Sequence, residues 1–362
     1  MAAAEMAAVM DEFRYGVIGT GMMGQEHIAN INVIPGARVV AIADPDTGSL
    51  ELGQKQANLD GSSCFHDYGE LLAWGPLDAI IVATPNHTHA EVVIDALQTE
   101  AHLLIEKPLA TNVTDCDRII DTARGHKAMV WMGLEYRYKP PIARLIEEVH
   151  AGSAGRVHMV AIREHRYPFL EKVGAWNRFK RNTGGTLVEK CCHFFDLMTL
   201  ITQAAPVRVL ASGAQDVNHL DEEYEGETPD ILDNAYVIVD YDNGSRAMLD
   251  LCMFAEGSRN EQELYVVGDR GKIEAFVPES IVRRGERHGR TVTEFEVSDD
   301  RIAYAGLHDG SSYLQHLDFI EAVRQRAEPK VTLEDGRLAV AVGVAGHLSI
   351  DEGRPVMMDE VL

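Results

Sequence analysis

Residues 14–44, RYGVIGTGMMGQEHIANINVIPGARVVAIAD, set three glycines in the pattern G-x-G-x-x-G between an apolar run and an amphipathic one. No other feature constrains the fold as much. A short strand runs through Val17 and Ile18, a helix is predicted over 22–32, and a second strand, ARVVAIA, ends at Asp44. The three glycines serve different ends. Gly19 makes the tight turn, Gly21 lets backbone approach a pyrophosphate, and Gly24 lets helix pack on strand. The helix N-terminus, at Met22 and Met23, offers free N–H groups and a positive dipole end to phosphate. Asp44 stands where a carboxylate accepts from ribose hydroxyls and repels a 2′-phosphate, which predicts NAD in preference to NADP. A lone G-x-G-x-x-G is a weak signal. Here strand, helix and acid surround it in the required order.

Strand–helix alternation continues through LDAIIVAT (77–84), HAEVVIDALQ (89–98), HLLI (102–105) and AMVWMG (128–133). Such alternation implies a parallel, doubly wound sheet, with ligands beyond the carboxyl ends of its strands. TPNHTH and EKP fall at such ends. Thr84, Asn86, His89, Glu106 and Lys107 are therefore candidate cofactor contacts.

The second half is β-rich: RVHMVAIREHRY (156–167), PVRVLASGAQ (206–215), NAYVIVDYDNGSRAMLDLCMF (234–254) and QELYVVGDRGKIEAF (262–276). Asn-Gly in YDNGSR marks a hairpin tip. The expected fold is α/β: a Rossmann doubly wound parallel sheet, then an α+β domain with a large, mostly antiparallel open sheet. The boundaries are a disordered tail over 1–12, an NAD-binding domain over 13–135 and a substrate-binding and oligomerisation domain over 136–362. An open sheet has a face that needs cover, which points to a homo-oligomer. The acidic run 216–230 has no apolar period and reads as a solvated loop.

Charge narrows the partners. The chain has 33 basic and 57 acidic side chains, net −24, which disfavours nucleic acid and anionic membrane. No run approaches the ~18 apolar residues of a membrane span. The first residues lack a basic n-region, so they make a poor secretory signal. Five scattered cysteines with no CxxC pair argue against a disulfide frame or zinc ribbon, and fit a reducing cytoplasm.

The segment 184–198, GGTLVEKCCHFFDLM, concentrates reactive side chains. A helix is predicted from Thr186 to Ile201, with Glu189, His193 and Asp196 on one face and Lys190 beside His193 at i, i+3. Adjacent Cys191 and Cys192 point about 100° apart on a helix and lack metal-ligand spacing, so they read as packing and no metal is expected. Just upstream, residues 156–181 hold seven basic side chains against two acidic ones. Arginine forks suit oxyanions and aromatic faces suit sugar C–H surfaces. A sugar bearing an anionic group is the inferred substrate. Its candidate contacts are Arg137, Arg163, Arg166, Tyr167, Trp176 and Arg178, with His193. The alternative is a solvated edge whose charges pair with nearby acids.

GVIGTGMMGQEH, AIADPD, TPNHTHAEVVIDAL, HLLIEKPLA and GGTLVEKCCHFFDL stand in the order typical of the Gfo/Idh/MocA oxidoreductases, which this chain resembles along nearly its whole length. The resemblance implies that the closing helices pack back on the Rossmann domain and that substrate lies between the domains. It also implies that Lys107 and His193 meet a substrate hydroxyl near the nicotinamide. In the family pattern G-G-x-x-x-D-x-G-x-H-x-x-D the matching positions are Gly184, Gly185, Glu189, His193 and Asp196; the first acid has become Glu and a small residue has become Cys191. On this reading His193 is the base, oriented by Glu189. Lys107 polarises or relays, with a pKa lowered by like charge and burial, and exchange of the two roles stays open. Lys190-Cys-Cys-His193 with the basic segment also resembles a narrower branch, NAD-dependent glycosidases of sulfoquinovosides. That branch implies a cycle of oxidation, elimination, water addition and reduction, with Lys190 as an extra base or cation. Simple sugar or polyol dehydrogenation with net NADH production is the alternative. A non-catalytic NAD-binding regulator is a lesser one, because Lys107 and His193 are both present.

Overall fold

The computed structural model describes residues 12–362. Of the tail expected over 1–12, residues 1–11 lie outside the described residues. The first sheet has six parallel strands: β1 (Phe13–Ile18), β2 (Ala37–Ala43), β3 (Cys64–Phe65), β4 (Ala79–Val82), β5 (His102–Glu106) and β6 (Val130–Gly133). Their order is β3-β2-β1-β4-β5-β6. All four residues of β4 are buried, as are four of five in β5, the pattern of strands covered on both faces. The strand order reverses between β1 and β4, and ligand crevices of such sheets open there.

Nine strands form the second sheet: β7 (Val157–His165), β8 (Pro206–Ala214), β9 (Asn234–Tyr241), β10 (Arg246–Cys252), β11 (Gln262–Gly268), β12 (Gly271–Val277), β13 (Ile281–Glu286), β14 (Val292–Glu296) and β15 (Val356–Met357). The order is β14-β13-β12-β11-β7-β10-β9-β8-β15. Every pairing is antiparallel except β7 with β10. The β9–β10 hairpin turns at Asn243-Gly244, with Gly244 at φ +84, a conformation glycine adopts without strain. Alternation separates the faces. Val237, Val239, Leu249 and Leu251 are buried, whereas Tyr236, Ile238, Met248 and Leu210 are exposed on the other side.

Two closing helices join the layers. Leu333–Glu352 starts at a capping box formed by Thr332 and Asp335. It packs under β8 and reaches the first domain, where Arg337 Nε bonds Asp117 at 2.5 Å. Helix Ser311–Gln325 sets Phe319 edge-on against Trp131, 5.9 Å between centroids.

One predicted element differs. The helix expected from Thr186 to Ile201 is two helices, Thr186–Glu189 and Cys192–Thr202. Lys190 and Cys191 both donate their N–H to Thr186 O, at 3.0 and 3.3 Å, and the second bond spans five residues. This is a π-type bulge, a device frequent at functional sites. Lys190, at the bulge, is paired with a residue on β7, a long-range partner that helical periodicity cannot encode. The single face proposed for Glu189, His193 and Asp196 is therefore interrupted.

Candidate active site

A cleft of about 360 Å³ opens at the strand-order reversal, lined by Gly19, Gly21, Asp44, Thr84, Lys107 and Trp176 among others. Gly19 sits at φ +89, where a Cβ would meet Ala83 O at 2.5 Å. At Gly24 a Cβ would lie 1.9 Å from Gly19 O, so that glycine serves helix packing. At Gly21 a Cβ would meet nothing within 4 Å, and this residue caps helix Met22–Asn32 with no side-chain bond. Backbone N–H groups thus face open space at a helix N-terminus, which fits a pyrophosphate. Asp44 accepts from Thr20 N at 2.7 Å and from Asp46 N at 2.9 Å, which fixes its carboxylate at the cleft wall. Met22, Met23, Asn86 and Glu106 also line the cleft. His89 does not. It is buried behind, with Nδ1 2.8 Å from Pro108 O and Nε2 2.9 Å from Thr84 O, tying two strand-end loops together.

Glu106 ends β5 and takes a 2.9 Å bond from His27 Nε2. Burial opposes its charge, but the His27 bond and the Lys107 ammonium outweigh that and hold its pKa below the ordinary value. Lys107 follows, with Nζ 3.4 Å from Glu189 O. Burial disfavours its ammonium too. Cys192 as thiolate would oppose that, but its thiol is pushed up to about 12 by burial and is neutral at ordinary pH. The carboxylates Glu189 and Glu106, joined by Glu135 once it ionises above pH about 8, supply the remaining field that raises the Lys107 pKa. The lowered value expected from like charge is therefore corrected: acids, not bases, dominate its surroundings.

His193 is the reverse case. Burial first, then Lys107, Lys190, His308 and Lys139, lower its pKa well below the usual histidine value. Its ring stacks on Tyr136 at 4.0 Å and 7°. The acid that faces it is Glu135, with Oε1 3.7 Å from Nε2. Glu189, expected as its orienter, bonds Lys172 Nζ and Asn86 Nδ2 instead, each at 3.2 Å. Lys190 is the depressed lysine. Burial and Arg166 lower its pKa against Glu164, which it contacts at 2.8 Å, and it donates to Tyr136 OH at 2.7 Å. A neutral imidazole beside a fixed ammonium can take a hydroxyl proton while the cation stabilises the oxygen.

Most of the expected substrate arginines are committed elsewhere. Arg137 bonds Asp196 at 2.7 Å and Lys330 O at 3.0 Å. Arg178 is buried and bonds Glu222 at 2.8 Å, so the acidic run 216–230 supplies an ion-pair partner and is not merely solvated. Arg163 pairs with Glu263 on the face of β7 opposite to buried Ile162 and Glu164. Arg166 stacks on exposed Tyr167 at 4.4 Å and lies 3.7 Å from both Glu164 and Glu261. Trp176 does line the cleft, under Lys172 Nζ at 4.5 Å. Cys191 and Cys192 are buried, unpaired thiols.

Sequence reasoning missed Glu135, Tyr136 and Glu164. The first two follow directly on β6, at the same carboxyl edge that drew attention to EKP. Glu164 continues the inward row Val160, Ile162 of β7, and an acid in an apolar row signals a buried partner.

Residues 13–134 match the model described as oxidoreductase family, NAD-binding Rossmann fold, and residues 146–358 that described as oxidoreductase family, C-terminal alpha/beta domain. The chain is 30% identical to a myo-inositol 2-dehydrogenase of Thermotoga maritima, over 96% of this chain and 99% of that protein. It is 25% identical to a scyllo-inositol 2-dehydrogenase (NAD(+)) of Bacillus subtilis, over 96% and 97% respectively. Among solved structures, a probable dehydrogenase from Thermotoga maritima superposes with TM-score 0.77 at 27% identity, covering 96% of this chain and 100% of that one.

Proposed function

The chain belongs to the Gfo/Idh/MocA oxidoreductase family and uses NAD, and from that premise we propose that it oxidises a secondary hydroxyl of a neutral cyclic polyol or sugar, releasing NADH. One observation carries the reading: a half-buried lysine held charged and a buried histidine held neutral share one site. Removing a carbinol hydride requires that the hydroxyl proton leave to a base while a cation supports the developing alkoxide. His193 is the base, because its neutral form is favoured. Lys107 is the cation, because the acids around it oppose its deprotonation. NAD, when held by the glycine loop and Asp44, supplies the hydride acceptor. Trp176 offers an apolar face to the ring of the substrate.

Neutrality of the substrate follows from the pairing of cations. Six of the seven basic residues of 156–181, Arg163, Arg166, Lys172, Arg178, Lys180 and Arg181, each face a carboxylate within 4 Å, as do Lys190 and Lys139 beside them, so the segment presents little surplus charge for an anion. That pairing also weakens the sulfoquinovoside expectation, which rested on free cations. The inositol dehydrogenases among the relatives support the simpler reaction. A homo-oligomer closed over the exposed face of the second sheet belongs to this reading. So does a cytoplasmic setting, supported by unpaired cysteines. Among the described residues no helix is long and apolar enough to cross a membrane.

The test is a panel of myo-inositol, scyllo-inositol, free sugars and a chromogenic sulfoquinovoside with NAD, following NADH and aglycone together. NADH in step with polyol oxidation is the expected result. Aglycone release without NADH would replace this reading with redox-cycled cleavage.

A further inference from the structure

Several polar groups behind the site have no partner within the protein. Both carboxylate oxygens of Glu135 lack a hydrogen bond, as do Nδ1 of His193 and Nδ1 of His308. Glu135 is 1% exposed and His193 2%. Glu135 Oε1 lies 3.7 Å from His193 Nε2 and 3.8 Å from His308 Nε2, so one oxygen faces two imidazoles carried by different segments. These gaps are too long for direct hydrogen bonds and short enough for proton exchange after a small closure. Buried polar groups are ordinarily satisfied, and an unsatisfied group in a native fold calls for an explanation. Neither the glycine loop nor the lysine–histidine pair provides one.

We propose that Glu135 is a second acid–base residue of this site, the proton acceptor behind His193, with His308 facing the same carboxylate oxygen. The proposal rests on the polyol dehydrogenase reading. The O–H bond of the substrate hydroxyl breaks as an N–H bond forms at His193 Nε2, and that N–H bond breaks in turn as an O–H bond forms on Glu135, 3.7 Å from the same nitrogen. An alkoxide and a neutral carboxyl result, with no change in total charge. In the direction of ketone reduction the same proton returns.

The surroundings suit this proton transfer. Burial and the Glu106 carboxylate push the Glu135 pKa up to about 8, against Lys107 and Lys139, which favour its charge. His308 is kept neutral by burial and by Lys139. Tyr136 stacks on His193 and the Cys192 thiol is protonated at neutral pH, so neither competes for the proton. Above pH about 8 the carboxylate can accept; below it the carboxyl can donate.

The experiment compares wild type with Glu135→Gln and Glu135→Asp. With NAD and myo-inositol, wild-type kcat should rise with pH through about 8. Glu135→Gln should lower kcat by about 10²–10³-fold, leave KM within a few-fold and abolish that limb. Glu135→Asp, which keeps a carboxyl, should restore part of both. A second readout needs no turnover. In histidine-labelled protein without substrate, the ring nitrogen-15 shifts of His193 and His308 should step together as Glu135 titrates, and Glu135→Gln should remove the step. Full kcat with the limb intact in Glu135→Gln, or no common step in wild type, overturns the proposal. If wild type oxidises no polyol, the polyol reading fails and the nitrogen-15 step alone decides whether Glu135 shares a proton field with both imidazoles.

Discussion

Lys190 Nζ lies 2.8 Å from Glu164 Oε1, and both side chains are sealed from solvent. The pair fastens the bulge before helix Cys192–Thr202 to the inner face of β7, and so fixes the start of the helix that carries His193. Losing one member leaves an uncompensated charge in the interior, which costs about 3–5 kcal/mol in buried pairs. Glu164→Gln is expected to destabilise the protein by that order, measured by denaturant unfolding. Lys190→Met in the same background should recover most of the loss, because the stranded charge is then gone. Two substitutions that simply add would show that the pair is not coupled.

Gly21 and Gly24 should separate cofactor binding from folding. Gly24→Ala drives a methyl against Gly19 O, a backbone atom that cannot step aside, so both stability and NAD affinity should fall. Gly21→Ala meets nothing in the protein. Its methyl occupies the space left for the pyrophosphate. Thermal unfolding without cofactor should stay near wild type, while NAD affinity falls by at least about tenfold, roughly 1.4 kcal/mol. Isothermal titration of the two variants checks the contrast.

Asp44 should set the choice of dinucleotide. Its carboxylate is held by Thr20 and Asp46 amides at the cleft wall. Asp44→Ser removes an acceptor for the ribose hydroxyls and the charge that repels a 2′-phosphate. The NAD-to-NADP ratio of kcat/KM should drop by about two orders of magnitude, mostly through KM for NAD. An unchanged ratio would show that Asp44 does not set specificity.

The first domain was legible because its signals are local. Glycine spacing, a cap position and a strand of four buried residues lie within short windows; the predicted helix 22–32 matches the observed Met22–Asn32, and the strand predicted to end at Asp44 is observed as Ala37–Ala43, one residue shorter. The site was legible only where a motif marked it, at Lys107 and His193. Its charge states were not. The rise at Lys107 sums the fields of Glu106, Glu135 and Glu189, and two of those three are distant in sequence. Charge counting could not tell that Arg137, Arg163 and Arg178 were already paired, since Asp196, Glu263 and Glu222 lie 59, 100 and 44 residues away. The break at Lys190 likewise depends on a contact with Glu164, on another domain layer.

Buried neutral histidines should make the fold sensitive to acid. Burial lowers the pKa of His193, His308 and His316 well below 6.5, and that of His347 to about 4. The unfolded chain therefore binds more protons below pH 6.5, and stability falls as pH drops from there toward 4. His347, which accepts from Leu187 N at 3.2 Å, accounts for about 3 kcal/mol of that loss once protonated. Glu135, raised to about 8, acts oppositely: the folded state holds its proton between 4.5 and 8, so its contribution grows as pH falls through that range. His87, His89 and His102 are lowered as well, and the seven histidines outweigh the raised acids Glu135 and Asp196 below 6.5. Urea midpoints should fall between pH about 6.5 and 4.5, and His347→Gln should flatten the slope.

The outward face of the second sheet should hold the oligomer together. Ile238 stands directly opposite Leu210 on β8 and Met248 on β10, and Tyr236, 61% exposed, is its same-face neighbour two residues along β9. Large apolar side chains in register across three strands form a patch that water does not solvate well, and such patches mark association surfaces. A second copy of the same sheet would cover it symmetrically. Ile238→Glu places a carboxylate at the centre of that surface, where a desolvated, unpaired charge opposes association by several kcal/mol. Light scattering during size-exclusion chromatography should find wild type as a dimer or larger and Ile238→Glu shifted toward monomer, with NAD affinity retained because the cleft lies in the other sheet. A monomeric wild type, or an unshifted variant, would assign the apolar face no part in assembly.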